Sequence, residues 1–219
     1  MNQWNSCLQP TELCDFDKDS LLLEKTLELT RGCGGQGQRF ERLYGYVKEL
    51  PYGLEDWDVR ASETLKKGWG MCCGKTNLLV AMSRALLIPA RYRVFRIKAE
   101  SRLLVWATKQ HKELAIKFGD LPLEQDHLEC EVFLDSHWQN FDPSRDSAME
   151  AGLRTLGIPL EREPVAGADG AVHFACLVSV DEWARKRQVS RRFRGERETL
   201  FAMVNEQLDR IRLLGRETQ

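Results

Sequence analysis

Between Ala61 and Ile97 the chain runs from helix into strand with almost no slack, and that junction restricts the architectures open to it. Ala61-Ser62-Glu63-Thr64-Leu65 reads as a short helical turn, and Gly68 and Gly70 bracket Trp69 in a tight turn. After Cys72, the residues Leu78, Leu79, Ala81, Met82, Ala85 and Leu86 recur at i, i+3, i+4 and i+7, the spacing of a helix over about 73–87 with one apolar stripe. Pro89 is expected to stop that helix, because it has no amide hydrogen to donate. Tyr92-Arg93-Val94-Phe95-Arg96-Ile97 then alternates as a half-buried strand does.

A second constraint lies further on. Leu128, Cys130, Val132 and Leu134 alternate against His127, Glu129, Glu131 and Phe133. Asp135-Ser136 is suited to a two-residue hairpin turn into Trp138-Gln139-Asn140-Phe141-Asp142, which Pro143 closes. Such a turn puts Asp142 on the same face as His127 and diagonally across from it, within reach of a carboxylate–imidazole hydrogen bond. A turn of odd length puts the two on opposite faces.

Ahead of these elements, a helix is expected over Leu21–Leu29, with the acidic stretch Asp15 to Asp19 at its N-terminal end. A second is expected from about Gln38 to Leu50, broken by Pro51-Tyr52-Gly53. Residues 98–122 read as a charged, helical interlude. A Gly-rich loop follows at 166–170, then a short apolar piece from Val172 to Val180, then helices from Asp181 onward. The division predicted is a core over residues 1–145 and a partly helical extension over 146–219.

Composition narrows the function. A hydrophobic fraction of 42% supports a real core without disulfide staples, and a net charge of −1 gives no general attraction to nucleic acid or membrane. The basic run from Arg185 to Arg197 is interleaved with Glu182, Glu196 and Glu198, as a solvated helix face is. No run of about 18 apolar residues is present, and Met1 does not lead into a signal-like segment, so a cytoplasmic protein is the expectation. The seven cysteines are odd in number and lack zinc-site spacing, and the scattered histidines suggest no metal.

Cys72 is the exception among the cysteines. Only a thiolate is a strong nucleophile, and a cysteine at the start of a helix is exposed to orphan N–H groups and the positive end of the helix dipole. Gly70 lets the backbone turn sharply before it. Cys72, His127 and Asp142 together are the residue types of an acyl-transfer site: nucleophile, base and orienting carboxylate.

These residues sit in two spaced motifs. The first is Gly70-Met71-Cys72, a helix, then Arg84-Ala85-Leu86-Leu87-Ile88-Pro89-Ala90-Arg91. The second is His127, Glu131, the aliphatic run Val132-Phe133-Leu134, Trp138 and Asp142-Pro143. Over roughly residues 40–145 the chain resembles the transglutaminase-like superfamily, and Ala61 to Leu65 with Tyr52 resembles its bacterial branch. Two departures stand out: Leu87 replaces the family's usual glycine, and Leu128-Glu129 replaces a small residue and Trp, altering the cleft wall.

The resemblance implies an α+β, papain/transglutaminase-like core whose central helix carries Cys72 against an antiparallel sheet bearing His127 and Asp142. It implies thiol-dependent acyl transfer on amide bonds of a protein or peptide, with no cofactor and no metal. Cys72 rather than Cys73 is the nucleophile it assigns. Hydrolysis is favoured over cross-linking, since nothing resembles the calcium loop of the cross-linking enzymes. The Cys72 N–H is one expected oxyanion donor, and Tyr52, Trp57 and Trp69 are candidates for the second. Two other readings stay open: a catalytically silent scaffold binding peptide in the same cleft, and a deglycosylating amidase, whose usual C-x-x-C pairs are missing.

Overall fold

The computed structural model describes residues 4–98, 112, 124–187 and 194–218 of the 219-residue chain. It divides into two compact units. The first comprises Met1–Val94, Leu128–Asp146 and Ala175–Gln188, and the second Phe95–His127, Ser147–Phe174 and Val189–Gln219. Both divisions within the sheet fall inside continuous strands. The helical interlude expected over 98–122, with His111, lies almost wholly outside the described residues.

In the first unit, helix α1 (Ser20–Leu29) is capped by Asp19, whose carboxylate accepts from the Leu21 N–H at 3.0 Å. Asp15, from the same acidic stretch, caps a different helix. It is buried and accepts from Ser62 N at 3.0 Å and Ser62 Oγ at 2.6 Å, at the start of α3 (Ala61–Lys67). Between them, α2 (Gln36–Glu49) buries Phe40, Leu43 and Val47, spaced three and four apart along one face.

Helix α4 (Cys72–Ala85) departs from expectation. Its apolar residues suggested one buried stripe, yet every residue from Cys72 to Arg84 is buried. Helices α1, α2 and α3 all pack on it, so its polar residues are enclosed as well and must be satisfied internally. Lys75 Nζ donates to the carbonyls of Lys48 (3.0 Å), Leu50 (2.6 Å) and Ser144 (2.9 Å). Asn77 donates to Val59 O at 2.8 Å, and Ser83 to Leu79 O at 2.7 Å. Arg84 reaches the carbonyls of Gln9, Ala90 and Val178, binding the N-terminal segment and two parts of the sheet region to the helix.

Helix α4 ends before Pro89. Leu87 N–H donates to Arg84 O (2.9 Å) and Ile88 N–H to Ser83 O (3.0 Å), the paired bonds of a Schellman motif. The motif demands a left-handed residue, and Leu87 supplies it with φ +58°.

The sheet is antiparallel in its β2–β3 and β1–β4 pairings, with strand order β3-β2-β1-β4: β1 (Ala90–Lys98), β2 (Glu124–Leu134), β3 (His137–Phe141) and β4 (Ala175–Leu177). Leu128, Cys130, Val132 and Leu134 enter the same core as Leu78, Leu79 and Met82 of α4. The hairpin turn is the two-residue one expected: Leu134 pairs with His137, and both Asp135 (φ +49°) and Ser136 (φ +70°) are left-handed, as a type I′ turn requires. Helix α6 (Asp181–Arg185) follows β4.

In the second unit, α5 (Ser147–Thr155) packs on the long α7 (Arg194–Glu217). The two backbones approach so closely that a Cβ on Gly152 would lie 1.9 Å from Ile211 O, and one on Gly215 1.9 Å from Ala148 O. Among the described residues, no helix is long and apolar enough to cross a membrane.

Candidate active site

Cys72 is the first residue of α4 and is 4% exposed. Met71, at the N-cap, has no side-chain cap of its own. The turn before it is held from outside: Gly53 N–H donates to Gly70 O, Gly70 N–H donates to Pro51 O, and Glu55 Oε1 accepts from Met71 N–H at 2.7 Å. The amides at the start of α4 thus lie beside Cys72, where an anion is favoured.

Neighbouring Cys73 is chemically different. Its thiol donates to Trp57 O at 2.9 Å, and burial, followed by the proximity of Cys72, pushes its pKa well up. It is held as a neutral thiol. All seven cysteines are thiols, and of the others Cys7, Cys14 and Cys130 are buried while Cys176 is exposed.

His127 lies on β2 and is 1% exposed. It is the last residue of its segment of the second unit. The edge of its ring meets Phe95, with centroids 5.4 Å apart and planes at 87°; Phe95 in turn meets Phe174. Asp142 follows β3, and its Oδ1 accepts from Ser144 N–H at 2.9 Å and from the Ser144 hydroxyl. Tyr44 donates to the Asp142 carbonyl at 3.2 Å, and Lys75 grips the carbonyl of Ser144. The carboxylate is therefore mounted on a loop fixed from two helices.

Register sets Asp142 against β2. Cys130 pairs with Phe141, so Asp142 falls opposite Glu129, with His127 one alternate position further along. Glu129 and Asp142, both of the first unit, thus face each other across β2 and the end of β3. Thr76, one turn into α4, donates to Leu128 O at 3.3 Å, which sets β2 beside the first turns of the helix.

Glu129 is the residue whose part sequence reasoning missed. Its expected part is a change to the cleft wall, yet the two-residue turn also sets Glu129 opposite Asp142. Its Oε2 also receives Arg93 Nη1 at 3.3 Å. The lone pairs of the two carboxylates are oxygen donors of the kind a divalent cation takes. Arg93 on Glu129 and Ser144 on Asp142 already occupy some of those lone pairs.

Of the candidates for a second oxyanion donor, Tyr52 and Trp57 pack on the hydrophobic core, with Trp57 edge-on to Trp183. Trp69 lies under the Lys67 ammonium, 4.4 Å from its ring centre.

A buried helix opened by a cysteine and packed with an antiparallel sheet defines the α+β class of papain-type and transglutaminase-like domains. The model of the transglutaminase-like superfamily matches residues 24–143, over half of the chain, and the chain belongs to that superfamily. In fold it is similar to a protein from Cytophaga hutchinsonii provisionally named a cysteine protease, with a TM-score of 0.50 and 19% identity. The alignment covers 80% of this chain and 56% of that one, so the chain spans little more than half of that protein's length. A provisionally named protease from Parabacteroides distasonis aligns with a TM-score of 0.39 and 13% identity over 59% of this chain and 25% of its own, too distant to bear on the argument. No curated protein matches the chain in sequence.

Proposed function

We propose that the chain is a thiol enzyme that cleaves amide bonds of a protein or peptide through Cys72, His127 and Asp142, passing the acyl group to water in preference to an amine. The observation that carries this reading is the cysteine that opens the buried helix α4 in a chain of this superfamily, with the β2–β3 register setting Asp142 opposite Glu129, two residues after His127 along the same strand.

In this reaction His127 takes the Cys72 proton, and the sulfur forms a bond to the amide carbon. The tetrahedral oxyanion is met by the Cys72 N–H. Its collapse breaks the C–N bond, and the departing nitrogen takes the proton from His127, leaving a thioester. Water then attacks the thioester as His127 removes its proton, and the acid leaves as the thiol is restored. Asp142 keeps the imidazole oriented and stabilises its charged form.

The test is the pH dependence of iodoacetamide alkylation at Cys72, read by peptide mass spectrometry in the parent and in His127→Ala, with casein hydrolysis assayed beside it. Fast alkylation well below pH 7 that disappears in the variant, with hydrolysis abolished by Cys72→Ala, supports the reading. Ordinary thiol behaviour in both proteins sinks it and leaves a peptide-binding scaffold as the better account.

A further inference from the structure

Residues 52–59 run along the start of α4 and the turn before it and touch them at five positions. Tyr52 forms a parallel bridge with Gly70, and Gly53 N–H donates to Gly70 O. Glu55 accepts from Met71 N–H, Trp57 O receives the Cys73 thiol, and Val59 O receives Asn77 Nδ2. Four of these five contacts involve only backbone on the 52–59 side. Glu55 is the exception, a side chain 7% exposed.

Its carboxylate lies directly on the first turn of the helix. A Cβ on Gly74 would stand 2.5 Å from Glu55 Oε1, and one on Gly70 3.1 Å away, so both glycines make room for it. The other oxygen, Oε2, receives the Lys67 ammonium from the end of α3. A fixed anion therefore already occupies the positive end of the helix that would otherwise favour a Cys72 thiolate. A negative charge there opposes a second one on the adjacent residue, unless a cation cancels it.

We infer that Glu55 and Lys67 form a positioning pair: Glu55 holds the Gly70–Cys72 turn through Met71 N–H, and Lys67 cancels its charge so that the Cys72 thiol can ionise. This rests on Cys72 being the nucleophile. Other charges around the turn are Lys75 of α4, committed to three carbonyls, and Asp58 and Arg187, both of which act on Cys73. In the proposed site His127 and Asp142 join them.

Glu55→Gln keeps an acceptor for Met71 N–H and removes the charge. Lys67→Met uncovers the charge, and Lys67→Arg keeps the pair. Burial draws the Lys67 ammonium down to about 8, so the comparison is made below that pH, where it is charged. The Cys72 alkylation profile is measured between about pH 4 and 8, with exposed Cys176 as an internal reference. Glu55→Gln is expected to move the profile about one unit to lower pH, and Lys67→Met a similar amount to higher pH. Lys67→Arg leaves it unmoved, and the Glu55→Gln/Lys67→Met double variant returns it near the parent.

Shifts in the same direction, no shift in proteins that melt as the parent does, or equal shifts at Cys176 would overturn the inference. If Glu55→Gln does not fold, the contrast between Lys67→Met and Lys67→Arg decides alone. The shifts are read against the parent's own profile. An ordinary Cys72 thiol insensitive to His127 therefore defeats the enzyme reading without deciding this one.

Discussion

Arg91 and Glu131 meet across neighbouring strands β1 and β2, with Nε 2.5 Å from Oε2. Each belongs to a different one of the two sequence motifs. Asn140 adds to the pair with its amide nitrogen toward Glu131 Oε1 (3.0 Å) and its oxygen toward Arg93 (2.6 Å), the sense that satisfies both neighbours. The Arg91 guanidinium also covers the Trp138 ring at 4.1 Å, and Trp138 is a further motif residue. Arg91, Glu131 and Trp138 of the two-motif signature thus serve the sheet architecture.

Removing one partner of so enclosed a pair strands the other. Glu131→Ala is expected to cost about 2–4 kcal/mol in urea unfolding, near the lower range for broken buried pairs because the Arg91 side chain is 24% exposed. Glu131→Gln, which still accepts from Arg91, costs less. In either variant that remains folded, the pH profile of Cys72 alkylation stays where it is, and a displaced profile would show that Glu131 belongs to the chemistry after all.

In the proposed mechanism Glu129 is the alternative to Asp142 as the imidazole's partner. Asp142 is the better mounted of the two, held by Ser144, while Glu129 is drawn toward Arg93. Asp142→Asn retains an oxygen to accept from Ser144, so the loop should persist while the charge is lost. We expect kcat/KM on an amide substrate to fall by about 10²–10⁴ in Asp142→Asn, as removal of an orienting carboxylate does elsewhere, and by less than about tenfold in Glu129→Gln. The reverse ranking would transfer the orienting role to Glu129.

Much of the β2–β3 geometry was legible because it follows from counting. A two-residue turn fixes every pairing between β2 and β3, and Asp-Ser tolerates the left-handed backbone that such a turn needs. Glu129 opposite Asp142 followed from the same count; what the sequence could not convey was that a wall residue would face that carboxylate. Glu55 was invisible for another reason: it lies between helices, in a segment without periodicity, and its partner Met71 contributes only backbone. Helix α5 was missed because its buried apolar side chains are few, Met149 and Leu153, and its fit depends on Gly215 far along the chain. The enclosure of α4 on all sides was likewise unreadable, since Lys75 and Arg84 look like surface residues until their carbonyl partners are known.

Leu87 stands where the superfamily usually has glycine, and the helix end explains that preference. An L-residue held at φ +58° costs about 1–2 kcal/mol relative to glycine, part of which glycine returns through its freer unfolded chain. Leu87 is 70% exposed, so little burial is lost on truncation. Leu87→Gly is expected to stabilise the fold by up to about 1 kcal/mol, a rise in Tm of roughly 2–4 °C for a domain of this size. An unchanged or lower Tm would mean that the leucine makes contacts worth its backbone strain.

Alkaline pH should unfold the protein earlier than its composition suggests. Burial pushes the Cys14 thiol from 9.0 up to about 11, and raises Cys73, Cys130 and the Tyr92 phenol as well. With its pKa raised on folding, each group binds its proton more tightly in the native state. Its stabilising share is whole below the unfolded pKa and is lost as pH climbs toward the folded one. For Cys14 that window runs from pH 9 to 11 and amounts to about 1.4 kcal/mol per unit. Lys67, drawn down to about 8, acts with the opposite sign, one group against four. The urea midpoint, measured from pH 8 to 11, is therefore expected to hold near pH 8 and to drop steadily above pH 9. Cys14→Ala lowers stability at every pH by leaving a cavity, but it should also flatten the alkaline slope by about 1.4 kcal/mol per pH unit. A slope identical to the parent's would mean that the buried Cys14 thiol does not resist ionisation in the folded state.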